Sequence, residues 1–379
     1  MTEAYILGAA RTAIGKRNGV FADTRPDELA GNLLRTFVGN LNFDPVHIED
    51  VVMGCVTQIG EQGFNIGRMA ALLAGFPVSV PGTSVNRMCA SSLQAVNFAA
   101  QAVKAGAMDL VVGAGVESMS RVSMGSDGGG LSDLLTQRFD IIPQGLSAEL
   151  ICEKWGLSRA DVDAFSAESH RRAVIATENG WFDREIVPIQ VKKGGESVIA
   201  RRDEGPRQDT TLEKLANLRS AFKTGGVLTA GSSSQISDGA AAVLIGSESM
   251  AAKLNLVPRA RVRGMAVVGI DPTIMLTGVV PATQMVLQKS GLTVSDIDLF
   301  EVNEAFAPVV MAWSRDLNID LAKTNVNGGA VALGHPLGAS GARLVVTLLH
   351  ELERRDQTLG LATLCIGFGM AVATVIERI

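Results

Sequence analysis

The amino-acid sequence predicts a layered α/β fold, and three observations carry that prediction. Brief apolar runs alternate with stretches of helical periodicity along much of the chain. One order of elements (strand, long connection, turn, helix, strand) occurs twice. Glycine is abundant, at 41 of 379 residues, while aromatic residues make up only 4%. That mixture suits Val/Ile/Ala-rich buried strands, tight turns and close helix–sheet packing.

The elements follow in order. Segments 51–54, 110–113, 299–302 and 361–364 are short, apolar and bounded by turn residues, so they read as strands. Segments 91–107 and 341–354 place apolar residues at helical intervals, and 147–180 reads as helical and polar. IEDVVMGCVTQ, followed by SVNRMCASSLQA and the apolar run before GAGV, has a counterpart in DIDLFEVNEAF. That second copy continues through NVNGGAVALGHPLGASGAR to LATLCIGFG. Retention of five elements in one order favours duplication over coincidence. Between the copies lie a Gly/Ser-rich loop, SMGSDGGG, and a charged stretch at 191–226. The expected organisation is an N-terminal half at 1–119, completed by about 237–258, an inserted excursion at 120–236, and a C-terminal half at 259–379.

Bulk properties exclude several classes. The net charge of −5 comes from 34 basic and 39 acidic residues, which is not the footprint of a nucleic-acid binder. Cys55, Cys89, Cys152 and Cys365 form no C-x-x-C pair, and His47, His170, His335 and His350 show no metal-ligand spacing with them. No metal site is expected. Free thiols in a large chain point to a reducing compartment. The opening MTEAYILGAARTAIG reads as a strand and not as a signal-peptide apolar region. No uncharged apolar run reaches membrane-spanning length. A cytoplasmic protein without membrane or nucleic-acid partners is expected.

Four positions could carry chemistry. Cys89 sits among small and polar residues just before a helical stretch, where partial positive charge and unpaired N–H groups favour thiolate. A buried structural cysteine is the equal alternative on that feature alone. His335 lies between Gly334 and Pro336 in a glycine-dense block, which suits a sharp turn or a close backbone approach to a ligand better than packing. Cys365 and Asn303 each follow an apolar strand, at the strand end where α/β sheets bind ligands. Two thiols, an imidazole and an amide thus fall at corresponding ends of a duplicated sheet.

VNRMCASSLQA, SSSQISDGAAAVL, VNEAFAP, NVNGGAVALGHPLGASGAR and CIGFGM resemble, in order, the motif series of the thiolases, over essentially the whole chain. The wording of GCVTQIGEQ, ICEKWGLSRADVD and EGPRQDTTLEKLA is similar to bacterial degradative thiolases, including those of actinobacterial steroid breakdown. The resemblance implies duplicated α/β halves in an αβαβα layering with an inserted loop domain. It also implies reversible thiolysis of 3-ketoacyl-CoA through an acylated Cys89. His335 would activate Cys89 and help to stabilise an enolate oxygen, and Cys365 would be the acid/base thiol. Asn303 would hold a water completing a first oxyanion site, with the backbone N–H groups of Cys89 and Gly367 forming a second. Ser234 would lie against the pantetheine and Arg207 near the adenine nucleotide, their plain readings being a turn serine and a solvated surface arginine. Coenzyme A would be a co-substrate, with no permanently bound cofactor, in a homodimer or homotetramer.

The departures from the family pattern are Phe368 and Ala371 where relatives usually carry glycine, Ser92 in CASS, and PQG at 143–145 in place of a methionine–glycine pair. Phe368 is expected either to fill part of an acyl pocket or to disturb the second oxyanion loop. Two other readings follow. A decarboxylating ketoacyl synthase would normally pair one cysteine with two histidines or a histidine and an asparagine, where this chain has Cys365. A degenerate homologue would bind CoA without turnover.

Overall fold

A computed structural model describes residues 2–379. The first half runs β1 (Tyr5–Arg11), β2 (Gly15–Lys16), α1 (Pro26–Leu41), β3 (Asp50–Gly54), α2 (Ile66–Leu73), β4 (Thr83–Val85), α3 (Ser91–Lys104) and β5 (Leu110–Ser118). The chain then leaves the sheet through α4 (Asp133–Thr136), α5 (Gln144–Trp155), α6 (Arg159–Glu178), the hairpin β6 (Ile189–Lys193) and β7 (Glu196–Ala200), and α7 (Leu212–Ala216). It returns as β8 (Ser237–Gly246) and α8 (Glu248–Lys253). The second half is β9 (Ala260–Gly269), α9 (Val279–Ser290), β10 (Leu299–Val302), α10 (Ala307–Leu317), α11 (Ala330–Leu333), α12 (Leu337–Arg355), β11 (Leu359–Ile366) and β12 (Met370–Arg378).

Strand order shows the repeat in space. One side of the sheet runs β4-β3-β5-β8-β1 and the other β10-β11-β12-β9. On the first side β3 pairs in parallel with both β4 and β5, on the second β10 pairs in parallel with β11, and the remaining pairings are antiparallel. A parallel bridge from Phe300 to Thr324 takes the place that β4 holds beside β3. The two sides join where β1 meets β9, with Tyr5 opposite Arg261 and Ile6 opposite Ala260.

Burial explains the layering. Neighbouring residues of β5 and β8 point to opposite faces, as a period of two requires. Val112 and Leu244 pack with Leu33 and Phe37 of α1, while Val111 and Val243 pack with Leu93 and Val96 of α3 and Leu344 and Leu348 of α12. On the far side, Ala373 and Val375 of β12 pack with Val286 of α9 and Trp313 of α10. Helix α12 is buried over residues 337–352, the mark of a helix enclosed on every side. It crosses α3 closely because Gly341 has no side chain where a Cβ would strike the backbone of Leu93. The layers are therefore helix, sheet, helix, sheet, helix.

Several sequence-based boundaries move. The stretch read as helical at 147–180 divides into two helices, α5 and α6, because Gly156 takes φ 61° and closes α5 in the left-handed conformation. Helix α12 starts at Leu337 and not at 341, with Pro336 as its N-cap. The glycines of that block had hidden its first turn.

Candidate active site

The turn before α3 presents Cys89. Met88 adopts φ 46°, a strained position for a residue with a side chain. Local hydrogen bonds hold it: Asn86 Oδ1 accepts from the Met88 N–H at 2.8 Å, and Ser91 Oγ donates to the Met88 carbonyl at 2.6 Å. The result is a 6% exposed Cys89 one residue outside the helix N-cap. Burial pushes its thiol up to about 11, against the pull of its own N–H, the Gly367 N–H and the Gln144 side chain, all of which face the sulfur. The fully buried Glu117 carboxylate pushes in the same direction as burial.

His335 is set by the turn into α12. Its neighbour Gly334 has φ 109° and leaves no room for a Cβ beside Ser237. The Ser340 hydroxyl donates to the Pro336 carbonyl at 2.9 Å and contacts His335 Nδ1 at 2.6 Å. With its one hydrogen so used, Ser340 can only accept, so Nδ1 carries the ring proton and Nε2 a lone pair. Burial, then the charge of Arg343, pulls this imidazole down to about 3. It is a neutral base at physiological pH.

Asn303 follows β10 and donates from Nδ2 to His335 Nε2 across 3.2 Å. It is fully buried, and its Oδ1 has no protein partner among the described residues. Cys365 lies in β11 opposite Ala371 of β12. Burial and then the neighbouring Cys89 raise its thiol well above the ordinary value. The two sulfurs are thus near enough to perturb one another. Gly367 sits in the 367–369 turn between β11 and β12, where a Cβ would lie 2.7 Å from Gln144 Nε2 and 3.2 Å from Met88 Sδ. Only glycine fits.

Cys89 and His335 line a cavity of about 240 Å³ that also takes in Ser234, Gln144, Phe222 and Phe306. Phe222, from the excursion, meets Phe306, from the second half, edge to face with ring centroids 5.6 Å apart. Arg207 is not brought there. It lines a separate groove between α6 and α7 with Glu168 and Arg171, and its backbone N–H donates to His170 Nδ1 at 3.1 Å.

The departures acquire physical accounts. Phe368 does not fill the pocket: it is 41% exposed and outside the cavity wall. It takes φ 61°, which a glycine would adopt without strain. The adjacent Gly367 N–H nevertheless faces Cys89. Ser92 Oγ accepts from the Ala342 N–H at 2.9 Å, tying α3 to α12. Two residues of the site escaped the sequence reading, Ser340 and Gln144. The unusual PQG wording was a signal for Gln144; Ser340 had none beyond its place in the glycine block. Among the described residues there is no cluster of metal-ligating side chains, and no helix is long and apolar enough to cross a membrane.

Comparison with known proteins gives the family. The thiolase N-terminal domain family matches residues 4–249 and the thiolase C-terminal domain family residues 256–378. A steroid 3-ketoacyl-CoA thiolase of Mycobacterium tuberculosis is 45% identical, with 100% of this chain and 95% of that protein covered. A 3-ketoacyl-CoA thiolase of Cronobacter sakazakii is 48% identical over 100% of both chains. The crystal structure of the Bacillus anthracis acetyl-CoA acetyltransferase superposes with a TM-score of 0.93 at 38% identity, covering 100% of this chain and 99% of that one. Matched in both halves and along its full length, the chain belongs to the thiolase family.

Proposed function

We propose that this protein is a CoA-dependent acyltransferase that cleaves 3-ketoacyl-CoA with free CoA, releasing acetyl-CoA and a shortened acyl-CoA. The observation that supports the reading is that Cys89 and His335, distant along the chain, line one small cavity, with Asn303 hydrogen-bonded to His335 and Cys365 near enough to Cys89 for its thiol to be raised by it.

In the ground state both the Cys89 thiol and the His335 imidazole are neutral, since burial opposes charge on each. Proton transfer therefore accompanies attack. The Cys89 sulfur adds to the ketone carbon as its proton passes to His335 Nε2. The ketone oxygen takes up negative charge and is met by the Cys89 and Gly367 N–H groups. The carbon–carbon bond then breaks and its electron pair moves into the acetyl-CoA fragment as an enolate. That enolate oxygen faces His335 and a water held by Asn303. Cys365, kept protonated by burial, delivers a proton to the α-carbon, and acetyl-CoA leaves. Incoming CoA gives its thiol proton back to Cys365 and attacks the acyl carbon. The Cys89 sulfur departs with its electron pair and recovers a proton from His335. Thiols suit both halves, being good nucleophiles and good leaving groups.

Ser234, in the cavity wall, is assigned to the pantetheine and Arg207, at a distance, to the adenine nucleotide. The chain is read as two halves, 1–119 with 237–258 and 259–379, around an inserted 120–236. It works in the cytoplasm as a homodimer or homotetramer, with CoA as co-substrate and no resident cofactor. A non-catalytic reading rested on Phe368 and Ala371. It loses support because Phe368 lies outside the cavity.

The test is thiolysis of acetoacetyl-CoA, and of a longer 3-ketoacyl-CoA, with free CoA. Wild type should turn over and Cys89→Ala should lose at least about 10³-fold in rate, as for removal of a covalent nucleophile. Equal rates in the two proteins would reject the proposal.

A further inference from the structure

We infer that Gln144 is a third hydrogen-bond donor to the reacting centre, its side-chain amide sharing with the Cys89 and Gly367 N–H groups the oxygen of the acyl group carried by Cys89. The inference rests on the thiolase reading above and deepens it at one atom.

The placement is geometric. Gln144 opens α5, immediately after its N-cap Pro143, and lines the same cavity as Cys89 and His335. Its Nε2 lies so close over Gly367 that an added Cβ there would be 2.7 Å away. Three N–H sources thus lie close to the Cys89 sulfur, two from backbone and one from a side chain, the last in the wall of the same cavity. Once the sulfur is acylated, the carbonyl oxygen lies only two bonds from it. Donors clustered on the sulfur then become neighbours of that oxygen.

The chemical type of the residue fits the task. When CoA attacks, its sulfur bonds to the acyl carbon and the carbonyl π pair moves onto oxygen. Collapse of that tetrahedral species returns the pair and expels the Cys89 thiolate. A donor that strengthens as oxygen gains charge lowers the barrier in both directions. A neutral amide does this without adding charge. A carboxylate would stack a second negative group beside the thiol, which already feels Glu117. The surrounding wall is largely apolar, with Met119, Phe222, Phe306 and Leu337, and low polarity strengthens such a hydrogen bond.

Two variants test the inference: Gln144→Met, which keeps the length and removes the donor, and Gln144→Glu. Each is assayed for thiolysis of acetoacetyl-CoA and, separately, for the pH dependence of Cys89 alkylation by iodoacetamide in the absence of substrate. Loss of one oxyanion donor among three should lower kcat about 100-fold in Gln144→Met, at the low end of single-donor deletions, with little change in KM for CoA. The alkylation profile should move to higher pH, and further in Gln144→Glu. A donor of purely structural importance would leave that profile where it was. Wild-type kcat and an unmoved profile in Gln144→Met would overturn the inference while leaving the thiolase reading intact. Conversely, a wild type that turns over no 3-ketoacyl-CoA, yet shows the Gln144-dependent shift, would sink the parent reading and uphold the contact with Cys89.

Discussion

At Cys89 two physical effects oppose one another, and their balance sets the chemistry. Burial raises the thiol, while three N–H sources lower it, and the outcome is a thiol pushed up to about 11. The motif position before a helix had suggested thiolate, but the N–H groups near the sulfur contribute less than desolvation takes away. Reactivity therefore depends on His335 accepting a proton in step with attack, and on the tautomer that leaves Nε2 free. Ser340 holds that tautomer. Ser340→Ala should leave the buried Nδ1–H unpaired, costing about 1–3 kcal/mol of stability. The freed ring can then move its proton to Nε2, and kcat should fall about 10-fold to 100-fold. Thermal melting and steady-state thiolysis read the two effects separately. The four positions to which we assign the chemistry were legible in the sequence because each sits in compact wording at a strand or helix end. Ser340 was not, since its partnership with His335 depends on how the chain turns at Pro336. Gln144 was visible only as an oddity, being far from Cys89 along the chain.

Among the elements, α3 and α12 matter most, because they carry Cys89 and His335 at their N-terminal ends and lie against each other between the sheets. Their approach depends on positions without side chains. Gly341→Ala would drive a methyl group into the backbone of Leu93, where no flexible side chain can yield. Overpacking of this kind costs typically about 1–3 kcal/mol. The helices would separate to relieve it, and the Cys89–His335 geometry would move with them. We expect a lower urea midpoint together with reduced kcat, and a melt indistinguishable from wild type would refute the close-packing account. The apolar periodicity showed that two helices exist here. It did not show that α12 is enclosed on every side, because Ala- and Gly-rich surfaces carry little hydrophobic signal of their own. The Ala-rich β8 (SDGAAAVLIG) passed unmarked for the same reason.

Across the whole molecule, a buried ion-pair network ties the three parts of the chain together. Arg11 of β1 donates to Glu185 at 2.6 Å and to Asp203 at 2.7 Å, both from the excursion. Thr347 of α12 donates to Glu185 at 3.1 Å. All three ion-pair side chains are essentially without solvent contact. Replacing Arg11 by Leu strands two carboxylates without their cation, and breaking such a buried pair costs about 3–5 kcal/mol. Arg11→Leu should therefore denature at markedly lower urea, and a midpoint within error of wild type would show the network to be energetically idle.

The order of strands and helices, the duplication and the identity of the reacting groups were written locally, in periodicity and in short motifs that each need only their own neighbours. Where those groups meet was not. The meeting of Cys89 and His335 in one cavity, their neutral state, the exclusion of Phe368 and the separate groove of Arg207 depend on burial and on contacts between residues hundreds of positions apart. Solvent exclusion is a property of the packed whole, so no segment carries it in advance.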